Sequence, residues 1–183
     1  QIPGETLSVG DRIKVFITEI KKETRGPSIV LSRAHPGLVG RLFELEVPEI
    51  RDGIVEIKRI AREAGSRTKI AVLSNDEHVD AVGSCIGPKG IRKNNVTAEL
   101  CGEKIDIIQY SENVEEFISA ALAPATVESV AKLPESDRAY RVIVADDQLS
   151  LAIGKEGQNA RLAAKLTGCK IDIKSSRSTS EQE

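Results

Sequence analysis

The sequence predicts an α+β fold in which one helix–strand–strand–helix–helix–strand unit is used twice. Three observations predict it. Ile86-Gly87-Pro88-Lys89-Gly90 recurs as Ile153-Gly154-Lys155-Glu156-Gly157. The helix-length segment after each copy closes on the same words, Gly102-Glu103-Lys104-Ile105-Asp106-Ile107 and Gly168-Cys169-Lys170-Ile171-Asp172-Ile173. Hydrophobic periodicity alternates between strand and helix in the same order in both halves. A self-match over that range, broken by a single gap, marks a duplicated unit.

The elements follow in order. In residues 1–34, Ile13, Val15 and Ile17 alternate with polar residues and predict a strand over Arg12–Ile17. A polar turn from Lys21 to Gly26-Pro27 leads to a second strand, Ser28–Ser32. Two strands alone are marginal and need partners. Pro36 opens a helix whose apolar face is Leu38, Val39, Leu42, Phe43 and Leu45, and Pro48 ends it. A strand of imperfect alternation, Ile54–Ile60, turns at Glu63-Ala64-Gly65-Ser66 into Lys69–Leu73. A short helix from about Val79 runs into the first glycine loop. The next helix reaches Leu100, and Lys104–Tyr110 closes the unit.

The second unit repeats that order. Asn113 with Glu116 predicts a capped start to a helix bearing Val114, Phe117, Ile118, Ala121 and Leu122 on one face. Strands over Thr126–Leu133 and Ala139–Ala145 follow, then Leu149–Ile153, the second loop, a helix to Thr167 and a last strand from Lys170. The boundaries read 1–34, 35–110, 111–175 and a polar tail over 176–183, expected to be disordered. The joint Ser111-Glu112 is so short that the units are expected to pack rigidly and to present both loops on one extended surface.

Composition narrows the function. The chain has 183 residues, 40% hydrophobic and 30% charged, which describes a soluble globular protein. No apolar run approaches a membrane span and no signal peptide opens it, so a cytoplasmic location is expected. Methionine is absent, even at position 1, which predicts a piece of a longer chain. Net charge is −2 and the isoelectric point is near 5.9, so any polyanion must be met by local patches. Aromatics at 3% argue against a stacking platform. Cys85, Cys101 and Cys169 form neither a disulfide framework nor a zinc site. Cys101 and Cys169 flank the glycine of each copy and read as small core residues. Asp106 and Asp172 sit mid-strand in equivalent places, so a structural role is expected of them, and no catalytic group, metal or cofactor is indicated.

The glycine pair carries the chemistry. Two glycines three apart make a corner without Cβ atoms, where backbone can approach a ligand. The helix that follows offers free N–H groups and the positive end of its dipole, which suits a phosphate. Lys89 and Lys155 add a cation to each loop, and Arg92, Lys93 and Arg161 add more nearby. Ile86 and Ile153 lead into the loops as core residues that can also floor a base groove; Gln158 and Asn159 open the second helix. Glu156 opposes simple phosphate affinity. A lone GxxG is usually an ordinary turn; two in register point to a clamp on single-stranded RNA. The signatures of nucleotide-hydrolysing and dinucleotide-binding loops are absent.

With Ile-Gly-x-x-Gly between its central helices, each unit resembles the prokaryotic, type II KH domain, whose GXXG loop holds four nucleotides. Val9-Gly10-Asp11-Arg12-Ile13-Lys14-Val15 resembles the closing half of an S1-like OB barrel. Two KH units after such a segment resemble the NusA family of bacterial transcription termination/antitermination proteins. Three stretches carry that wording: Ser32–Val39, Val55-Glu56-Ile57 through Ala61–Gly65, and Leu149-Ser150-Leu151-Ala152-Ile153-Gly154-Lys155-Glu156-Gly157-Gln158-Asn159-Ala160-Arg161-Leu162-Ala163. The resemblance implies a non-enzymatic monomer that binds nascent RNA and, through regions partly outside this chain, the RNA polymerase elongation complex. It implies roles in pausing, termination and antitermination. By position, the implied RNA-binding residues are Ile86–Gly90, Arg92, Lys93, Ile153–Asn159 and Arg161. The alternative is a protein-interaction module that contacts the transcription machinery without RNA. A fragment of an RNA-degrading enzyme is a third possibility, opposed by the missing catalytic domain and by the order of the modules.

Overall fold

A computed structural model describes residues 1–177 of the chain. Two three-stranded sheets stand behind a two-stranded ribbon, and each sheet carries helices. The ribbon pairs β1 (Phe16–Glu23) antiparallel with β2 (Gly26–Ser32) around the two-residue turn Thr24-Arg25. The first strand therefore starts later than the alternation at Ile13 suggests, and Lys21–Glu23 belong to it rather than to the turn. The side chains of Ile17, Ile20, Ile29 and Leu31 stay more than half exposed, since no third strand covers the ribbon within the described residues. A β hairpin of this kind fits a partial S1 segment.

Arg33 ties the ribbon to the first module. Its guanidinium donates to the Glu5 carboxylate, to the carbonyls of Lys14 and Glu99, and to the Glu99 carboxylate. The Arg33 hydrogen bonds hold the Glu5 carboxyl down at about 2, against the opposing effect of burial. Phe16 stacks on His35, with ring centroids 4.7 Å apart.

The first module runs α1 (Pro36–Glu46), α2 (Pro48–Arg51), β3 (Val55–Glu63), β4 (Arg67–Ser74), α3 (Ala81–Ile86), α4 (Ile91–Glu99) and β5 (Lys104–Gln109). His35 caps α1, its Nδ1 accepting from the Gly37 N–H. Pro48 ends α1 and opens the short turn α2 in the same step, because a residue without an N–H suits a first helical position. β4 lies between an antiparallel β3 and a parallel β5. A bulge at Lys58 shifts the β3 register between Ile57 and Arg59, which is why its alternation reads as imperfect.

The second module repeats the plan with α5 (Val114–Ala121), β6 (Ser129–Lys132), β7 (Ala139–Val144), α6 (Leu149–Ile153), α7 (Gln158–Thr167) and β8 (Lys170–Ser175). Its sheet order, β6-β7-β8, and its strand directions match the first. Asn113 Oδ1 accepts from the N–H groups of Glu115 and Glu116, and Glu116 accepts from the Ser111 hydroxyl. This completes an N-terminal cap worth about 1 kcal/mol. Ser176 and Arg177, placed in the tail by sequence, follow β8 in helical conformation, and Arg177 pairs with Asp146. The remainder of that tail, 178–183, lies outside the described residues.

The modules share a core. One face of the first sheet meets its own helices: Ile70, Val72 and Val55 pack with Leu38, Phe43, Val96 and Leu100. The opposite face is covered by the second module: Ala61, Ala71 and Ile108 pack with Phe117, Ile118, Leu162 and Leu166. Residues 68–72 are consequently buried without a break, as in a strand covered on both sides. Lys69 lies inside this joint, fully buried, and its Nζ donates to Asp106 and to the Ala123 carbonyl. Burial lowers its pKa more than Asp106 raises it. Arg141 and Asp172 form the matching pair in the second sheet, where nothing among the described residues covers them as the second module covers Lys69, and both stay over a third exposed.

Cys169 is buried as expected, but Cys101 is exposed. The two lie on opposite sides of their glycines, and Glu103 takes the place in the first module that Cys169 takes in the second. The Glu103 carboxylate is buried and fully satisfied, accepting from Arg62, the Gly65 N–H and the Thr68 hydroxyl. It fixes the turn between β3 and β4. Among the described residues, no helix is long and apolar enough to cross a membrane.

Candidate nucleic-acid interface

Both glycine loops have the same backbone. Gly87 and Gly154 stand at φ/ψ of 75/171 and 77/170, a region essentially reserved for glycine. Lys89 and Glu156 are left-handed, at 54/24 and 54/25. Gly90 and Gly157, at 75/11 and 74/13, are the N-caps of α4 and α7, and neither supplies a side-chain hydrogen bond to the first helical N–H groups. The first N–H of each helix is taken within the loop, Ile91 donating to the Pro88 carbonyl and Gln158 to the Lys155 carbonyl, and the positive helix end faces the loop. Pro88, Lys89, Lys155 and Glu156 at the loop tips are exposed. Ile86 and Ile153, which precede the loops, are each over a third exposed and can floor a groove.

Close packing behind the first glycine sets this shape. A Cβ on Gly87 would fall 2.6 Å from Arg92 Cγ, and one on Gly154 would fall 2.8 Å from the backbone N and the Cβ of Asn159. Arg92 and Asn159 occupy equivalent places and are used differently. Arg92 Nη1 donates to Glu49 Oε2 at 2.9 Å and to the Ser84 carbonyl at 2.8 Å. A groove of about 570 Å³ runs past them, lined in part by Glu49, Val79, Gly83, Gly87 and Arg92. Asn159 turns inward. Its Nδ2 donates to the carbonyls of Leu122 and Ala152, both at 3.0 Å. Its buried Oδ1 has no partner among the described residues. Lys93 is half-buried on α4.

The second loop also leans on the first module. Gln158 Nε2 donates to Ser66 Oγ at 2.6 Å and to Glu63 Oε2 at 2.9 Å. Arg161 pairs with both oxygens of Glu63 and gives Nη1 to the loop carbonyl of Glu156 at 3.1 Å. The Arg161 hydrogen bonds hold the Glu63 carboxyl at about 2. The first loop lies at the N-terminal end of α4, which is nine residues and so about 14 Å long. Glu49, Glu63 and Ser66 escape a sequence reading. Their partners lie 43 to 98 residues away, and no local pattern marks them.

With this geometry in view, the chain was compared with known proteins. Residues 33–110 match the model of a NusA-like first KH domain, and residues 114–181 that of a NusA-like second KH domain. The transcription termination/antitermination protein NusA of Bacillus subtilis is 59% identical over 175 residues, 96% of this chain and 47% of that protein. The chain belongs to the NusA family. Its relative of the same name from Mycobacterium bovis is 56% identical over 174 residues, 95% of this chain and 50% of that protein. The chain thus spans about half the length of these curated members of the family. The crystal structure of APE1850 superposes with a TM-score of 0.54 at 25% identity, over 74% of this chain and 95% of that one. Two tandem KH domains, each a three-stranded sheet with helices, are the fold the family match describes.

Proposed function

We propose that this chain is the single-stranded RNA-binding region of a transcription elongation factor, and that each GxxG loop grips an RNA backbone. The observation that carries the reading is the identity of the two loop backbones. Although the central residues differ, Pro88-Lys89 against Lys155-Glu156, Gly87, Lys89 and Gly90 adopt the angles of Gly154, Glu156 and Gly157 to within about 2°. A shape kept while its side chains change is a shape used through its backbone. In this reading phosphates lie against the loop backbones and the positive ends of α4 and α7, helped by Lys89, Lys93 and Lys155. Ile86 and Ile153 floor the base grooves. Arg92, Gln158, Asn159 and Arg161 chiefly hold the loops in shape, and Glu156 faces water.

The unit boundaries at 34/35 and 110/111 belong to this reading, with the second unit carried on through Arg177 rather than ending at 175, as does a monomer acting in the cytoplasm without catalysis. So do the partners implied by the family: nascent RNA and the RNA polymerase elongation complex, with effects on pausing, termination and antitermination. The test replaces Pro88-Lys89, Lys155-Glu156 or both pairs by Asp-Asp and titrates an unstructured RNA at several salt concentrations. Each replacement is expected to weaken binding and flatten the salt dependence. Unchanged affinity in the double variant would leave the protein-interaction reading, which the acidic partners of Arg92 and Arg161 favour.

A further inference from the structure

The two loops have one backbone but different supports. At the positions where α7 carries Gln158 and Arg161, α4 carries Ile91 and Asn94. Gln158 and Arg161 both reach out of their own module to the end of β3. Glu63 there receives three of their hydrogen bonds, and Ser66 receives a fourth. Arg161 then passes the support on through its Nη1–H to the Glu156 carbonyl, inside the loop. Glu156 is a non-glycine residue in a left-handed conformation, which costs roughly 1–2 kcal/mol; Lys89 bears the same cost in the first loop, and in the second the brace offsets part of it. The platform under the brace is rigid, because the buried Glu103 fixes the same β3–β4 turn through Gly65, Thr68 and Arg62.

We infer that Glu63 is a positioning residue for RNA: the first module holds the second module's loop in its gripping shape through the relay Glu63–Arg161–Glu156 carbonyl. Among the described residues the first loop has no such relay and stands on its own module. The two loops therefore differ in kind. One grips RNA independently of its neighbour, and the other grips only while the modules are docked. The relay also neutralises Arg161, so that cation acts on loop shape rather than as a phosphate ligand. This inference rests on the RNA reading of the loops.

The test compares wild type, Glu63→Gln and Glu63→Ala, each with and without the Asp-Asp replacement of Lys155-Glu156, in titrations with an unstructured RNA. Glu63→Ala is expected to weaken binding about five- to tenfold, the scale of one net hydrogen bond at a partly exposed site, with Glu63→Gln between it and wild type. Neither is expected to weaken binding further once the second loop is disabled. The loss from disabling the first loop is expected to be the same with or without Glu63, which separates a local effect from unfolding. Amide exchange at Gly157 and Gln158 in the free protein should quicken in Glu63→Ala, a readout that needs no RNA. Tighter binding in Glu63→Gln would mean the carboxylate competes with RNA for Arg161 and would overturn the inference. So would unchanged exchange at the loop. If the Asp-Asp replacement itself leaves affinity intact while exchange quickens, the brace stands and the RNA reading of the second loop fails.

Discussion

Replacing Gly154 by alanine separates the two glycines of one loop by mechanism. Gly154 occupies a backbone region that other residues enter at about 1–3 kcal/mol. Its new Cβ would also meet the backbone N and the Cβ of Asn159 at 2.8 Å. That contact cannot relax by rotating a side chain, because Asn159 is pinned to Leu122 and Ala152. The two effects together amount to about 3 kcal/mol. For a chain of this size each kcal/mol lowers the melting temperature by about 2–4 °C, so Gly154→Ala should melt about 6–12 °C below wild type. Gly157 is the internal control: its φ is 74°, and a Cβ there meets nothing within 4 Å. Gly157→Ala should cost only the left-handed penalty, about 1 kcal/mol, or about 2–4 °C. Thermal unfolding followed by far-ultraviolet circular dichroism reads both. Equal melting temperatures for the two variants would refute the claim that packing behind the first glycine sets the loop.

Other expectations follow from the same contacts. Asp106→Ala should destabilise by about 3–5 kcal/mol, because it strands the buried ammonium of Lys69, whereas Asp172→Ala, at the exposed equivalent pair, should cost under about 1 kcal/mol; urea titrations of the two variants check the contrast. Glu63 has a folded pKa of about 2 against an ordinary 4.5, so its contribution is present above pH 4.5 and is lost as pH falls toward 2. The stability gap between wild type and Glu63→Gln should therefore close across that window, and a gap constant with pH would contradict it. Lys89→Ala should weaken RNA binding and reduce the slope of log affinity against log salt by about 1, measured by fluorescence anisotropy. Gly37→Ala should loosen the ribbon, since its Cβ would fall 2.5 Å from Phe16 Cζ; faster proteolysis within 1–33 reads that outcome.

Much of this architecture could be read from the residues alone. The duplicated glycine corner and the repeated Lys-Ile-Asp-Ile are local patterns, and local patterns survive in a sequence. Capping at Asn113 and the helix start at Pro36 are legible for the same reason. The bulge at Lys58 left only a blurred alternation. What could not be read is set by contacts between distant residues. Nothing near Asn159 says that its amide points inward to Leu122 and Ala152. Nothing near Glu63 says that it will meet Arg161. Lys69 and Arg141 occupy equivalent strand positions, yet one is sealed and the other wet, solely because a second module sits on the first. Cys101 and Cys169 looked alike beside their glycines, but they lie on opposite sides of them, two positions apart in the repeat, and so in opposite environments.

The doubly covered first sheet changes what counts as a part of this protein. A cut at Ser111-Glu112 would look harmless from the chain, yet it would leave Ala61, Ala71 and Ile108 wet and cost the Lys69 ammonium its carbonyl partner. The smallest piece able to refold intact is thus the pair, and calorimetry should find one melting event where the repeat suggests two.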